Sequence, residues 1–458
     1  MTGLARTVSW LSVALWLAAN PVSGQSPTVI AGATLLNGTG GPPVPDAVVV
    51  VRDGLVECAG PRADCPVEPG WPLLEAGGRW VIPGLIDSHI HWQIWYDRER
   101  ILSPEVAARA GRVYLANGIT TVMDVGGQRW VTPEHRRVLD SLEQTGAPAP
   151  RILHSAWINR RELEDAATED AGVLARSLLE KDVAGVKIRE GLTMDDVVAI
   201  VREADVAGRP VYGHTYYQEG TGFLDYTAEA VTAGVDGVFH VLGIPPLPPG
   251  PDPTSPDIPE DDWEAWWLAG ADLWNHATDE SMDVLIRVMV EQGAWLQPTL
   301  VTEEWMVVPN YFRGHEAWRH SPLSWEEMNA GSPVFRGNDL ETYRAAYLQM
   351  KRFVRRFHEA GGMVVAGTDG VPVPGFGLQE EMRLLVEAGL PPLEAIRSAT
   401  HNAAAAWRWE DRIGTVEAGK AADLVILDGD PLRDILNTRR IWRVMKGGVV
   451  YDPLVLLR

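Results

Sequence analysis

Among 458 residues there are only two cysteines, Cys58 and Cys65, so neither a multi-cysteine metal site nor a disulfide-dense scaffold is available. No apolar run beyond the first 24 residues reaches the length of about 18 that a membrane-crossing helix needs. The G-x-S-x-G turn of many serine hydrolases is missing. The one stretch with phosphate-loop spacing, Gly414 through Lys420, is followed by Ala421 in place of a Ser or Thr and by a strand-like run in place of a helix, which rules out that nucleotide site. Positive charge is scarce: 40 Lys plus Arg face 62 Asp plus Glu, and the net charge of −22 repels nucleic acid and anionic lipid. Lysine itself is confined to Lys181, Lys187, Lys351, Lys420 and Lys446.

What is present begins with a leader-like start. Arg6, the apolar stretch Val8 to Ala19 and the small residues of Pro21-Val22-Ser23-Gly24 read as a signal peptide over 1–24, so the chain is expected to be exported, periplasmic or secreted. In such an oxidising compartment Cys58 and Cys65 are expected to form a disulfide. With 46% hydrophobic residues the remainder can bury a large core and has room for more than one module. Short β segments between Gly/Pro turns fill 25–82, and strands return in 412–458, where Lys446-Gly447-Gly448 marks a hairpin. The two ends are expected to pair into one small β-sandwich.

The chemistry gathers at strand ends. Val81 to His91 is an apolar run that closes on His89-Ile90-His91, and residues two apart on a strand face the same way, so two imidazoles stand side by side as zinc prefers. Downstream, Asp182 to Ile188 ends at Lys187, Arg209 to His214 at His214, Gly234 to His240 at His240, and Gly362 to Gly370 carries Asp369. The intervals between them suit one strand, one helix and two loops, the βα repeat. An α/β fold of the (β/α)8 TIM-barrel type over 83–411 follows, with the candidates on the carboxyl face where such barrels place their chemistry.

Pro83-Gly84-Leu85-Ile86-Asp87-Ser88-His89-Ile90-His91, Ala399-Thr400-His401-Asn402-Ala403-Ala404 and Gly414 through Val425 resemble the PGLIDxHxH, AT-x-NAA and G-x-I-x-x-G-K-x-ADLV motifs of the amidohydrolase superfamily. The likeness spans most of the chain and is greatest to the branch of imidazolonepropionase and the amidohydrolase-type Xaa-Pro dipeptidases. It implies two divalent metal ions, most simply zinc, one held by His89, His91 and Asp369 and the other by His214 and His240. Lys187 would join them as a carbamate formed with CO2, with a hydroxide between the metals. An ammonium at Lys187 would be desolvated and repelled there, which favours the neutral amine that CO2 can attack. Asp369 is then the proton shuttle, and Tyr216, two residues beyond His214, is placed to meet an oxyanion.

The aromatic residues expected around the mouth favour cleavage of an amide bond in a small molecule or short peptide, such as an N-acyl amino acid or a peptide ending in proline or an apolar residue. Lactone, cyclic amide and phosphotriester hydrolysis on the same centre remain open alternatives, as does a non-catalytic scaffold, although all six ligand positions are filled. A deaminase of the superfamily would carry a glutamate where Tyr217 stands. Two insertions follow barrel strands, the eight-proline run Gly243 to Pro259 with Trp263, Trp266, Trp267 and Trp274 beyond it, and a stretch holding Trp305, Tyr311, Phe312, Trp318 and Trp325. They are expected to form a lid and a substrate wall. Whether the chain forms a homo-oligomer stays open.

Overall fold

Candidate ligands that all end strands require those strands to run the same way. Leu85–Ile90, Ile119–Asp124, Arg151–Ile158, Gly185–Ile188, Val211–Gly213, Gly237–Phe239 and Trp295–Gln297 lie side by side in that order in one parallel sheet. The computed structural model describes residues 27–92, 103–126, 133–189, 191–217, 224–246, 263–308, 335–370 and 375–458. The leader over 1–24 and most of both aromatic-rich insertions, with Tyr311, Phe312, Trp318 and Trp325, lie outside them.

The parallel strands are buried along their length, as expected where helices cover a sheet. The sheet curls. Leu296 N–H donates to Met363 O at 3.0 Å and Val365 N–H to Leu296 O at 2.9 Å, while Ser88 N–H donates to Ala366 O and Thr368 N–H to His89 O, each at 3.3 Å. The segment from Met363 to Thr368 therefore touches both the last and the first strand. It was expected as a full strand over Gly362 to Gly370, yet its only β-bridge among the described residues joins Val364 to Leu296. The reason is a divided hydrogen-bond pattern, because Ala366 N–H leaves the ladder for Ser398 O at 2.9 Å.

The covering helices have definite ends. Thr193 and Asp196 form a reciprocal capping box for Met194–Ala207, and left-handed Gly208 closes it; Thr278 and Ser281 start Asp279–Gln292, and Gly293 ends it in the same way. Residues such as Leu285, Ile286 and Met289 then face inward into a core shared with Leu85, Val122 and Leu296, which fixes the strand ends relative to one another.

Strands from both ends of the chain share a second sheet. Its order places Val449–Tyr451, Ile441–Lys446 and Leu424–Leu427 next to Trp80–Pro83, followed by Thr28–Leu35, Val44–Arg52 and Leu55–Pro61, with Leu73–Glu75 beside Thr28–Leu35. The seam is antiparallel, Leu424 opposite Pro83 through Leu427 opposite Trp80. The expected hairpin is there, with Gly447-Gly448 between Lys446 and Val449. Period-2 alternation serves two faces: Val49 and Val51 pack with Leu424 and Ile426, whereas Val48 and Val50 pack with Val29 and Cys65. Arg151 Nη1 meets Asp423 Oδ2 at 2.8 Å and ties this sheet to the parallel one.

Cys58 and Cys65 are bonded to each other, and Cys65 is buried. The bond holds the turn that covers the Val48/Val50 face. Closing so short a loop is worth about 2–3 kcal/mol by chain entropy. Replacing both cysteines with alanine is expected to lower unfolding free energy by about that amount, and dithiothreitol should lower the midpoint of the unmodified protein similarly. A denaturation midpoint indifferent to reductant would show that the covering turn holds without the bond.

Candidate metal centre

Each candidate side chain leaves the carboxyl end of a parallel strand. His89 lies near the end of Leu85–Ile90, with His91 just beyond it, Lys187 one residue before the end of Gly185–Ile188, His214 directly after Val211–Gly213, and His240 directly after Gly237–Phe239. Asp369 follows the closing segment. His240 and Asp369 both adopt left-handed backbone, at φ 62° and 55°, a conformation that costs a non-glycine residue on the order of 1–3 kcal/mol. The turn aims them back over the sheet axis.

His89, His91 and Asp369 converge, with one ligand atom from each lying within 4.8 Å of the others. Nε2 of His91 is 2.9 Å and Nε2 of His89 3.1 Å from the same Asp369 oxygen. Lys187 Nζ lies 3.3 Å from His89 Nε2 and 5.2 Å from the ring centres of both Trp157 and Phe239. His214 and His240 stand outside the trio and reach it through ring contacts, His89 to His240 at 4.9 Å and His240 to His214 at 4.8 Å between centroids. Tyr216 opens a two-residue strand paired with Leu224–Asp225; its side chain lies outside the described residues.

Burial sets the charge states. It depresses His89 and His214 well below the ordinary imidazole range, helped by the neighbouring Lys187 and Arg189 respectively, and it takes His240 down to about 3. Neutral rings keep one lone pair each. Burial raises Asp87 to about 7 against hydrogen bonds from the Thr368 hydroxyl and the His89 and Thr368 amides. Asp369 sits lower than an ordinary carboxyl although burial pushes it up, because the His89 and His91 rings lie against it.

Two residues not singled out from the sequence assign the tautomers. Gln297 Oε1 lies 2.7 Å from His89 Nδ1, and Thr299 Oγ1 lies 2.8 Å from His240 Nδ1. Each takes the ring's N–H and leaves Nε2 as an acceptor. On His89 that acceptor faces the Asp369 carboxylate at 3.1 Å. Nitrogen and oxygen at that distance share either a proton or a metal cation, and imidazole nitrogen with carboxylate oxygen is a donor set that suits a borderline divalent ion such as zinc. The residues present therefore fit a metal. The only sequence signal for Gln297 and Thr299 is their place in the strand-like run Trp295 to Leu300.

The close approach depends on Gly367. A Cβ there would come within 2.7 Å of Gln297 Cδ and 2.8 Å of His89 Cβ, both wholly buried. Behind the site, burial lifts Glu303 to about 8, and its carboxyl accepts the Tyr343 hydroxyl.

Residues 80–451 match the amidohydrolase family, and the chain belongs to that family. It is 46% identical to the imidazolonepropionase of Pseudomonas entomophila (strain L48) over 152 residues, 33% of this chain and 30% of that relative; it thus spans under a third of that protein's length. To the imidazolonepropionase of Streptomyces coelicolor it is 25% identical over 405 residues, covering 84% of this chain and 86% of the relative. Among solved structures it resembles a Xaa-Pro dipeptidase with methionine bound in its active site, at 21% identity and TM-score 0.66, over 93% of this chain and 100% of that one.

Gly367→Ala is expected to cost about 1–3 kcal/mol, since neither rigid neighbour can yield cheaply; denaturant titration of the variant checks it. A second expectation concerns pH. The Glu303 carboxyl is protonated up to about 8 when folded and loses its proton near the ordinary carboxyl value of 4.5 when unfolded. The folded state thus holds the extra proton, and stability falls as pH rises through that window. Metal-free protein should lose stability over this range, and Glu303→Gln should flatten the loss; parallel curves for the two proteins would count against a protonated Glu303.

Proposed function

We propose that this chain is an exported metal-dependent amidohydrolase that cleaves an amide bond in a small molecule or short peptide. The observation that carries the reading is the convergence of His89, His91 and Asp369, with Lys187 at 3.3 Å from the same His89 nitrogen. His89, His91 and Asp369 would hold one divalent ion, and His214 and His240 a second, with Lys187 as a carbamate shared between them. The scaffold in this reading is an eight-stranded barrel over 83–411 with the closing segment as its last strand, flanked by a sandwich built from 25–82 and 412–458 after removal of 1–24.

When bound, such ions would acidify the attacking water and polarise the substrate carbonyl. The protein's own residues do the rest. Asp369 accepts the water's proton on a carboxylate oxygen and returns it to the leaving nitrogen, and its left-handed backbone keeps that oxygen over the histidine pair. Gln297 and Thr299 hold two imidazoles in the tautomer that presents Nε2. Trp157 and Phe239 flank the Lys187 amine and exclude water. Tyr216 would donate its hydroxyl to the oxyanion. The resemblance to a Xaa-Pro dipeptidase supports a dipeptide as substrate. A second reading, an imidazolone substrate, is favoured by imidazolonepropionase relatives that align along most of the chain.

Metal analysis together with a hydrolysis panel of dipeptides, N-acyl amino acids and imidazolonepropionate tests the proposal. About two zinc equivalents per chain are expected, and Lys187→Ala should lose most of them. Asp369→Asn should stay folded and partly metallated yet lose at least about a hundredfold in turnover. Turnover near that of the unmodified protein in metallated Asp369→Asn would remove Asp369 from proton transfer.

A further inference from the structure

The helix Leu300–Val307 begins abnormally. Its N-cap residue, Thr299, has left-handed backbone at φ 51° and ψ 46° and makes no side-chain cap hydrogen bond, although threonine is a favoured cap residue whose hydroxyl ordinarily accepts from the second or third amide of the helix. The hydroxyl is engaged elsewhere. It donates to Pro298 O at 2.8 Å, so its lone pair is what receives the His240 Nδ1 proton at 2.8 Å.

The orphaned amides of the helix have another partner. Glu381, on the helix Gly377–Ala388, is wholly buried and places Oε2 at 2.7 Å from Val301 N, and the Leu300 amide donates to the same carboxyl. A carboxyl 80 residues away in sequence therefore does the work that the local threonine leaves undone. Without it the first-turn N–H groups would be buried with no acceptor, and the side chain that ordinarily serves such amides is that of the N-cap residue, Thr299.

We propose that Glu381 is a positioning residue for His240: by capping the helix Leu300–Val307 from a distance, it releases Thr299 to hold the His240 ring as the Nδ1–H tautomer with Nε2 presented to the site. That this presentation serves a metal rests on the function proposed above; the tautomer itself does not. Glu381 touches neither substrate nor metal and acts through three covalently or hydrogen-bonded steps, the helix amides, Thr299 and the imidazole.

The test reads both levels separately in the full-length protein. With ring-15N histidine labelling of the metal-free protein, His240 is expected as a single Nδ1–H tautomer, assigned by its loss in His240→Gln. Thr299→Val and Glu381→Met should each introduce the other tautomer, while Thr299→Ser and Glu381→Gln, which keep the hydroxyl and the acceptor oxygen, should preserve the original signal. Zinc affinity at the site of His214 and His240 should fall about 10- to 100-fold in Thr299→Val and in Glu381→Met, and the double variant should be no worse than either single one, because both changes cut the same chain of contacts. Should Glu381→Met fail to fold, Glu381→Asp, which withdraws the carboxyl by one methylene, should give the same tautomer change in milder form. An unaltered His240 signal in both folded Glu381 variants, or losses that add in the double variant, would overturn the proposal. Tautomers that behave as expected in a protein that binds no zinc would uphold the role of Glu381 and sink the metal-dependent reading alone.

Discussion

Desolvation is the constraint on which the site depends. His89, Lys187 and His214 are almost wholly withdrawn from water, and a polar group in that position must find its partner inside the protein or destabilise the fold. Burial also strips the proton from the His89 and His214 imidazoles, which converts a hydration penalty into a lone pair on each ring. The rest of the centre follows from allocating the remaining nitrogens. One strand end, Trp295–Gln297 with Pro298 and Thr299 beyond it, provides the acceptors for two different histidines, so a short piece of chain sets the orientation of rings that belong to two other strands.

The same accounting explains why strained backbone collects there. His240, Thr299 and Asp369 are three of the seven non-glycine residues with positive φ among the described residues. Each ends or follows a parallel strand and must reverse within a residue to bring its side chain across the axis. The cost is tolerated because the aromatic cluster of Tyr212, Phe239, Trp295 and Trp407 fills the sheet interior beneath, with the Tyr212 and Trp407 rings edge to face at 4.5 Å. A packed floor leaves the strand ends little freedom to relax.

Much of this was legible in the chain. The alternation at His89-Ile90-His91, the strand spacing that brings up Lys187, His214 and His240, the Cys58–Cys65 bond and the Gly447-Gly448 hairpin all rest on local rules of period, turn chemistry and pairing. Gln297, Thr299, Glu303 and Glu381 were not legible. A glutamine or threonine at a strand end carries no mark of the ring it will face, and Glu381 sits in the sequence of an ordinary amphipathic helix. Its burial comes only from packing against a helix formed elsewhere. The closing segment shows the opposite failure: the β-type run around Val364 and Val365 is real, but tertiary hydrogen bonds to Ser398 and His89 take its amides out of a regular ladder.

The seam between Trp80–Pro83 and Leu424–Leu427 has a consequence for how the molecule is made. A ribosome releases the first five strands of the composite sheet long before their partners Leu424–Leu427, Ile441–Lys446 and Val449–Tyr451 exist, and the whole parallel sheet is synthesised in between. Until then Trp80–Pro83 keeps one edge unpaired, an open template for pairing with another chain. Contacts separated by so much sequence form slowly. Completion of the composite sheet is thus deferred until Leu424–Leu427 has been made, and the nascent chain has to be kept from its neighbours for that interval.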